Sequence, residues 1–431
     1  MIPAAATLVW SATTQRAMPR LKPGALAILG VAAGLLLGHV ALAAPKRALV
    51  VERAVLVMRH GIRAPLDGEV PPNTRTGAPW PRWPVAESRI TAHGVRALER
   101  VAAYDRRLLA AHGLLTAKGC PGAGVRIRSN TSDRTIASGR AYADGFAPGC
   151  TLDVEHQPLG TVDPTFEPLR ARATAFDPAA AIVSINRDTG GMAALARRHR
   201  AALTRLDQVL GCSPTPRGCL SADTPAVTAS ADGHDLVLAG PIRAASGIAQ
   251  VLLLQEVEGL PRTSVGWGRV DPATLKQFGA LHAALFAVFT RPPYMAAHQT
   301  AVLGRDVLAS LSAGGPRLTV LMGHDTNVTA LAAALRLDLT APGYATNDVP
   351  PGGALLFERL RDVPTGARFV RASYRTQSPA TLRALGRSAS VVALEIPKCA
   401  GPLCSAATFE RLLASRLAPL QPAVRPLKQS R

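Results

Sequence analysis

The sequence predicts an α/β protein in which a mainly parallel central sheet is flanked by helices and carries an inserted, mostly helical subdomain. Three observations support that expectation. Ala54-Val-Leu-Val-Met58 is an apolar run that stops at Arg59-His60-Gly61, as expected of an interior strand of a parallel sheet. A second apolar strand, Leu318 to Met322, stops at Gly323-His324-Asp325. Between them, Asp177 to about Ser230 shows Ala- and Arg-rich helical patterns and no convincing strand. The expected organisation is a signal peptide over 1–43, an α/β domain over 44–170 and 235–431, and a helical insertion over 171–234. With 431 residues, 48% of them hydrophobic and 18% charged, the chain is globular and long enough for a large core.

The N-terminus reads as a targeting segment. Arg20 and Lys22 precede the apolar run Ala25 to Ala43, which ends in Ala41-Leu42-Ala43, a small-x-small pattern that places cleavage near Ala43 or Ala44. The 17 residues before Met18 fit no part of a signal peptide, which points to Met18 as the translation start. An uncleaved anchor is the minor reading, and no other stretch is long enough to span a bilayer. A product cut after residue 43 keeps 46 basic and 29 acidic residues, a formal charge of +17. Such a field attracts anions. The arginines are scattered, and aromatics make up only 4%, so no specific nucleic-acid surface is expected.

Further along, Asp67 to Ser88 is a Pro-, Gly- and Trp-rich loop bordering the site. Thr91 is the expected N-cap of a helix to about Gly113. A strand at Val125 to Ser129, a helix ending at Phe146 and a strand at Leu152 to Gln157 follow. Helices are expected over Ala239 to Glu258, Leu275 to Thr290 and Pro292 to Ser312, then the strand Leu318 to Met322 and a helix from about Asn327 to Leu335. A strand at Ala354 to Glu358 and a helix past Cys404 to Leu420 complete the reading. His93 and His112 read as surface or capping residues and His199 as packing or surface. No GxGxxG fingerprint follows a strand and no Walker loop is present, so no nucleotide cofactor is expected. Cys399 and Cys404 lack the further ligands of a zinc site.

The chemistry is concentrated at the two strand ends. Ligands of parallel sheets bind beyond the carboxyl ends of the strands, where Arg59, His60 and Arg63 would lie. Guanidiniums hold phosphoryl oxygens bidentately, and a neutral imidazole nitrogen can attack phosphorus. Arg59-His-Gly-Ile-Arg63-Ala-Pro65 resembles the RHGxRxP signature of the histidine acid phosphatases. Gly323-His324-Asp325-Thr326-Asn327 resembles that family's C-terminal HD motif. Asn130-Thr-Ser-Asp133-Arg134-Thr135 matches the context of its third phosphate-binding arginine, and Gly266-Trp267-Gly268-Arg269 resembles a loop of bacterial members. The resemblance covers nearly all of the chain beyond residue 43.

What the resemblance implies is a histidine phosphatase-like fold and a periplasmic or secreted acid phosphomonoesterase acting on small phosphate monoesters. His60 would be the nucleophile and Asp325 the proton donor; Arg59, Arg63, Arg134 and His324 would bind the phosphate. No cofactor or metal is implied. Asp325 must be protonated when it donates, which favours acidic conditions or a raised pKa. Six cysteines agree with an oxidising compartment and allow fifteen pairings. Proximity and the family pattern favour Cys120 with Cys150, Cys212 with Cys219, and Cys399 with Cys404. HDTN and Trp80 to Val85 look like bacterial phytases. Leu66-Asp67-Gly68-Glu69 supplies no basic residue and looks more like the glucose-1-phosphatases. The alternatives are a phosphomutase of the wider superfamily and a noncatalytic phosphate- or polyanion-binding module.

Overall fold

The computed structural model describes residues 48–422 apart from 73, 213–219, 221–223 and 400. The expected signal peptide lies outside the described residues, and so does Cys219 with its expected bond to Cys212. In chain order the strands are β1 (Leu49–Arg59), β2 (Val125–Ser129), β3 (Val154–Glu155), β4 (Ala226–Ala229), β5 (Leu236–Ala239), β6 (Leu318–Gly323), β7 (Ala354–Asp362), β8 (Arg368–Thr376), β9 (Ser390–Leu394) and β10 (Leu403–Ser405). The helices are α1 (Ala92–Ala111), α2 (Asp133–Phe146), α3 (Pro178–Thr189), α4 (Met192–Arg198), α5 (Arg200–Leu210), α6 (Pro241–Glu258), α7 (Pro272–Phe289), α8 (Pro293–Gln299), α9 (Leu303–Leu311), α10 (Asp325–Ala334), α11 (Pro379–Arg383) and α12 (Ala406–Ala414).

The central sheet runs β10-β8-β7-β1-β6-β2-β3, with β9 also on β8. Its site-bearing half is parallel. β6 lies between β1 and β2, with Arg59 opposite Gly323 and Ser129 opposite Met322, so three carboxyl ends finish at one level. On the other side of β1, β7 runs antiparallel, with Val57 opposite Leu355. Side chains alternate across a strand, and β1 therefore feeds two layers. Val55 and Val57 pack with Leu331 of α10 and Phe409 of α12, while Leu56 and Met58 pack with Leu98 of α1 and Tyr142 of α2. Both faces are dry, which is why the run reads as continuously apolar.

A separate helical core gathers Leu195, Leu206, Ile248, Leu252, Phe278 and Leu281. His199 sits at the junction of α4 and α5. Two expectations are corrected here. The stretch to Ser230 contains a strand after all, because β4 pairs antiparallel with β5 across a turn containing Asp232-Gly233, a local hairpin signal. The single helix expected over Pro292 to Ser312 is two, α8 and α9, broken where the buried Thr300 hydroxyl donates back to the Ala296 carbonyl oxygen at 2.6 Å.

Thr91 caps α1 as expected, its hydroxyl accepting from Gly94 N at 2.9 Å. Gly94 lies so close to the Ile62 carbonyl that a Cβ there would come within 2.2 Å of its oxygen. This contact seats α1 directly on the chain leaving β1. His112 caps the far end of α1 and pairs with Glu358 at 2.6 Å; His93 bonds the Leu382 carbonyl oxygen at 2.9 Å. Disulfides join Cys120 to Cys150 and Cys399 to Cys404. Among the described residues no helix is long and apolar enough to cross a membrane.

Candidate active site

His60 is the first residue past β1, and backbone bonds fix it there. Its amide donates to the Gly323 carbonyl oxygen at 2.9 Å, and its own carbonyl accepts from Gly352 N at 3.1 Å. The ring is buried, and Nδ1 lies 2.8 Å from the Gly61 carbonyl oxygen. A carbonyl can only accept, so Nδ1 carries the hydrogen and Nε2 keeps its lone pair. Burial first, then the charges of Arg134, Arg59, Arg63 and His324, holds His60 well below the usual histidine pKa. The ring is neutral, with one bare nitrogen.

Three arginines act on it. Arg59 is fully buried: Nη1 donates to the Val349 carbonyl oxygen, and Nη2 to Gln250 Oε1 at 2.7 Å and Asp325 Oδ2 at 3.2 Å. Arg63 donates to both carboxylate oxygens of Glu69, at 2.7 and 2.9 Å. Arg134, in the first turn of α2, has its pKa lowered to about 10, by burial first and by Arg63 next. In all three the buried Nε has no hydrogen-bond partner among the described residues, as is also so for Arg359 and Arg375 elsewhere in the fold. What sets these three apart is that they converge on one histidine, so their free N–H groups can serve a single anion.

The β6 end supplies the other half. His324 is the N-cap of α10, and its ring centroid lies 5.6 Å from that of His60. Asn130, just past β2, donates Nδ2 to His324 Nε2 at 2.8 Å while its second hydrogen goes to Glu167 Oε1 at 2.9 Å. Nε2 is therefore the acceptor, and the hydrogen of the neutral ring sits on Nδ1, 3.5 Å from Arg134 Nη2. Burial and Arg134 lower the His324 pKa to about 3, so the ring stays neutral.

Asp325 differs from its expectation. Burial alone would raise its pKa, but the ion pair with Arg59 and the bond from His282 Nε2 at 3.4 Å hold it well below the usual carboxylate range. The raised carboxyl nearby is Asp348, pushed to about 6 by burial. The raised-pKa option for Asp325 is thus overturned for the ligand-free site, because a guanidinium stands within ion-pair distance.

Beside these groups opens a cavity of about 420 Å³, lined among others by Asp67, Glu69, Asp235, Arg243 and His282. Asp67, Gly68 and Glu69 at the start of the Trp-rich loop line it, while Trp80, packed on Trp267 at 4.7 Å, lines a neighbouring cavity with Trp83.

The fold thus brings Arg59, His60, Arg63, Arg134, His324 and Asp325 into one cluster, from the ends of β1 and β6 and the start of α2. Sequence reasoning missed Glu69, Asn130, Gln250, His282 and Asp348. Gln250 and His282 sit on apolar helices with no motif around them. The one available signal was that each is a polar residue inside an apolar helical pattern, for which burial demands a partner.

A family model for the histidine phosphatase superfamily (branch 2) matches residues 50–181. Phytase AppA of Escherichia coli (strain K12) is 31% identical over 85% of this chain and 91% of its own length. The chain belongs to the histidine phosphatase superfamily, branch 2, and is a phosphatase. A glucose-1-phosphatase of Salmonella typhimurium is 27% identical over 84% of this chain and 91% of its own length. The structure of Hafnia alvei phytase in complex with tartrate superposes with a TM-score of 0.80 at 28% identity, covering 86% of this chain and 98% of the other.

Proposed function

We propose that the chain is exported to the periplasm, loses its signal peptide near Ala43 or Ala44, and there hydrolyses phosphate monoesters through a phosphohistidine on His60. One observation supports this most: three buried guanidinium Nε donors without a hydrogen-bond partner among the described residues act, together with His324, on one bare imidazole nitrogen. A phosphoryl group would supply both the acceptors and the electrophile.

In the first step the P–O ester bond breaks as His60 Nε2 bonds phosphorus, and the leaving alkoxide takes a proton from Asp325. Arg59, Arg63, Arg134 and His324 hold the equatorial oxygens, donors of a kind each worth about 3 kcal/mol. The Gly61 carbonyl accepts the Nδ1 hydrogen and eases the charge that develops on the ring. A bound phosphate dianion adds negative charge beside Asp325 and competes for Arg59, which raises the Asp325 pKa toward the protonated form the step requires. Water then attacks phosphorus, its proton passes to Asp325, and the P–N bond breaks.

For substrate, the reading is a sugar monophosphate ahead of phytate. Asp67 and Asp235 line the cavity with Arg243, while the Arg63–Glu69 pair in its wall cancels its own charge. Carboxylates accept from hydroxyls and repel further phosphates, so a polyol carrying one phosphate suits this lining. The test is phosphate release by the purified protein, across pH and with EDTA present, from p-nitrophenyl phosphate, glucose 1-phosphate and phytate. The expected ranking puts glucose 1-phosphate above phytate. Release from none of the three would sink the proposal, and phytate ranking first would overturn the substrate assignment.

A further inference from the structure

We propose that Glu69 is a positioning residue of the phosphate site: it occupies the outer fork of Arg63, so that only one edge of that guanidinium is offered to the phosphoryl group. The inference rests on the phosphatase reading above. A guanidinium has five N–H donors in fixed directions. Glu69 takes one from each Nη, at 2.7 and 2.9 Å, and the Ala64 carbonyl oxygen takes the other from Nη1 at 3.1 Å. The Nε hydrogen and the second Nη2 hydrogen remain, and stereochemistry puts both on the same edge. That Nε is buried and unpartnered.

The carboxylate is held, not mobile. Leu66 N donates to Glu69 Oε2 at 2.8 Å. The Glu69 carbonyl packs on Gly247 of α6 so tightly that a Cβ there would come within 1.9 Å of its oxygen. Glycine at 247 lets the turn seat directly on the helix, and the seated turn fixes Arg63.

Charge gives Glu69 a second effect. Arg59 is paired with Asp325 and Arg63 with Glu69, while Arg134 has no carboxylate within ion-pair distance among the described residues. An Arg63 without its partner would carry an uncancelled charge and could turn its full fork onto a phosphate dianion. It would then grip substrate and product more firmly without better matching the transition state, and only interactions stronger in the transition state speed the chemistry. Glu69 therefore favours turnover over tight phosphate binding.

The experiment compares wild type, Glu69→Gln and Glu69→Ala by calorimetric titration with inorganic phosphate at pH 6 and by kcat and KM for p-nitrophenyl phosphate. Glu69→Gln is expected to bind phosphate about tenfold more tightly, with KM and kcat both falling, and Glu69→Ala to lose more kcat. Gln is nearly isosteric, and phosphate binding itself reports an intact site. Unchanged or weaker phosphate affinity in Glu69→Gln, or an undiminished kcat, would overturn the inference. A wild type that binds phosphate but hydrolyses no ester would instead overturn the phosphatase reading, and the titrations would still decide the role of Glu69.

Discussion

The carboxyl ends of β1 and β6 each bring a histidine to the same place, yet the two rings are wired in opposite senses. His60 gives its Nδ1 hydrogen to the Gly61 carbonyl oxygen and is left with a lone pair. His324 receives a hydrogen from Asn130 on Nε2 and is left with a donor. Burial and neighbouring guanidiniums keep both neutral. In the proposed mechanism one side chain type thus serves as nucleophile at one strand end and as anion donor at the other, and the difference lies in the partner on the far nitrogen.

Removing each ring separately tests that asymmetry. His60→Ala removes the attacking atom, and turnover should fall by at least about 10⁴-fold with phosphate binding retained. His324→Ala removes one donor, and kcat should fall about 100-fold. Equal losses in steady-state kinetics would break the comparison. Asp325→Asn should cost about 10²- to 10⁴-fold on an alkyl ester such as glucose 1-phosphate, and far less on p-nitrophenyl phosphate, whose leaving group needs little protonation. Equal loss on both substrates would remove the proton-donor role.

Asn130→Ala should leave the His60 lone pair untouched and free the His324 ring to change tautomer. We expect a loss of about tenfold in kcat/KM, one hydrogen bond's worth. An unchanged rate would show that Asn130 does not set the tautomer.

The smallest effect concerns acid stability. Both histidines have folded pKa values below the ordinary 6.5 of a free imidazole, so the unfolded chain binds more protons and stability present above pH 6.5 is lost as pH falls, for His324 down to about 3. Asp348, raised to about 6, acts in the opposite sense between about 6 and 3.8. Four raised carboxyls, Asp105, Asp235, Glu258 and Asp348, oppose four lowered histidines, His60, His199, His298 and His324; His60 and His324 are the most strongly lowered and act from pH 6.5 downward, so the melting temperature without ligand should fall from pH 7 to pH 4. A flat or rising profile in thermal melts would contradict the assigned shifts.

The strand ends were legible because continuous apolar runs halted at charged motifs, a pattern few interior strands share. Thr91 was legible as a cap because its hydroxyl serves a neighbouring amide. The supporting residues were not. Glu69 reaches Arg63 through a turn and its seating on Gly247, and His282 reaches Asp325 across 43 residues; neither contact leaves a local pattern. β8, at the far side of β7, also escaped notice, since its Arg371 and Arg375 break the apolar alternation. Both are matched by buried carboxylates, Glu358 and Asp105, which only the tertiary structure reveals.

The most direct test of the two-histidine account is to trap the intermediate. The protein is mixed rapidly with a ³²P-labelled monoester, quenched in alkali, and the labelled residue mapped. The account predicts an acid-labile, alkali-stable label on His60 in wild type and in His324→Ala, and none in His60→Ala. Label on His324, or turnover without any covalent label, would contradict it.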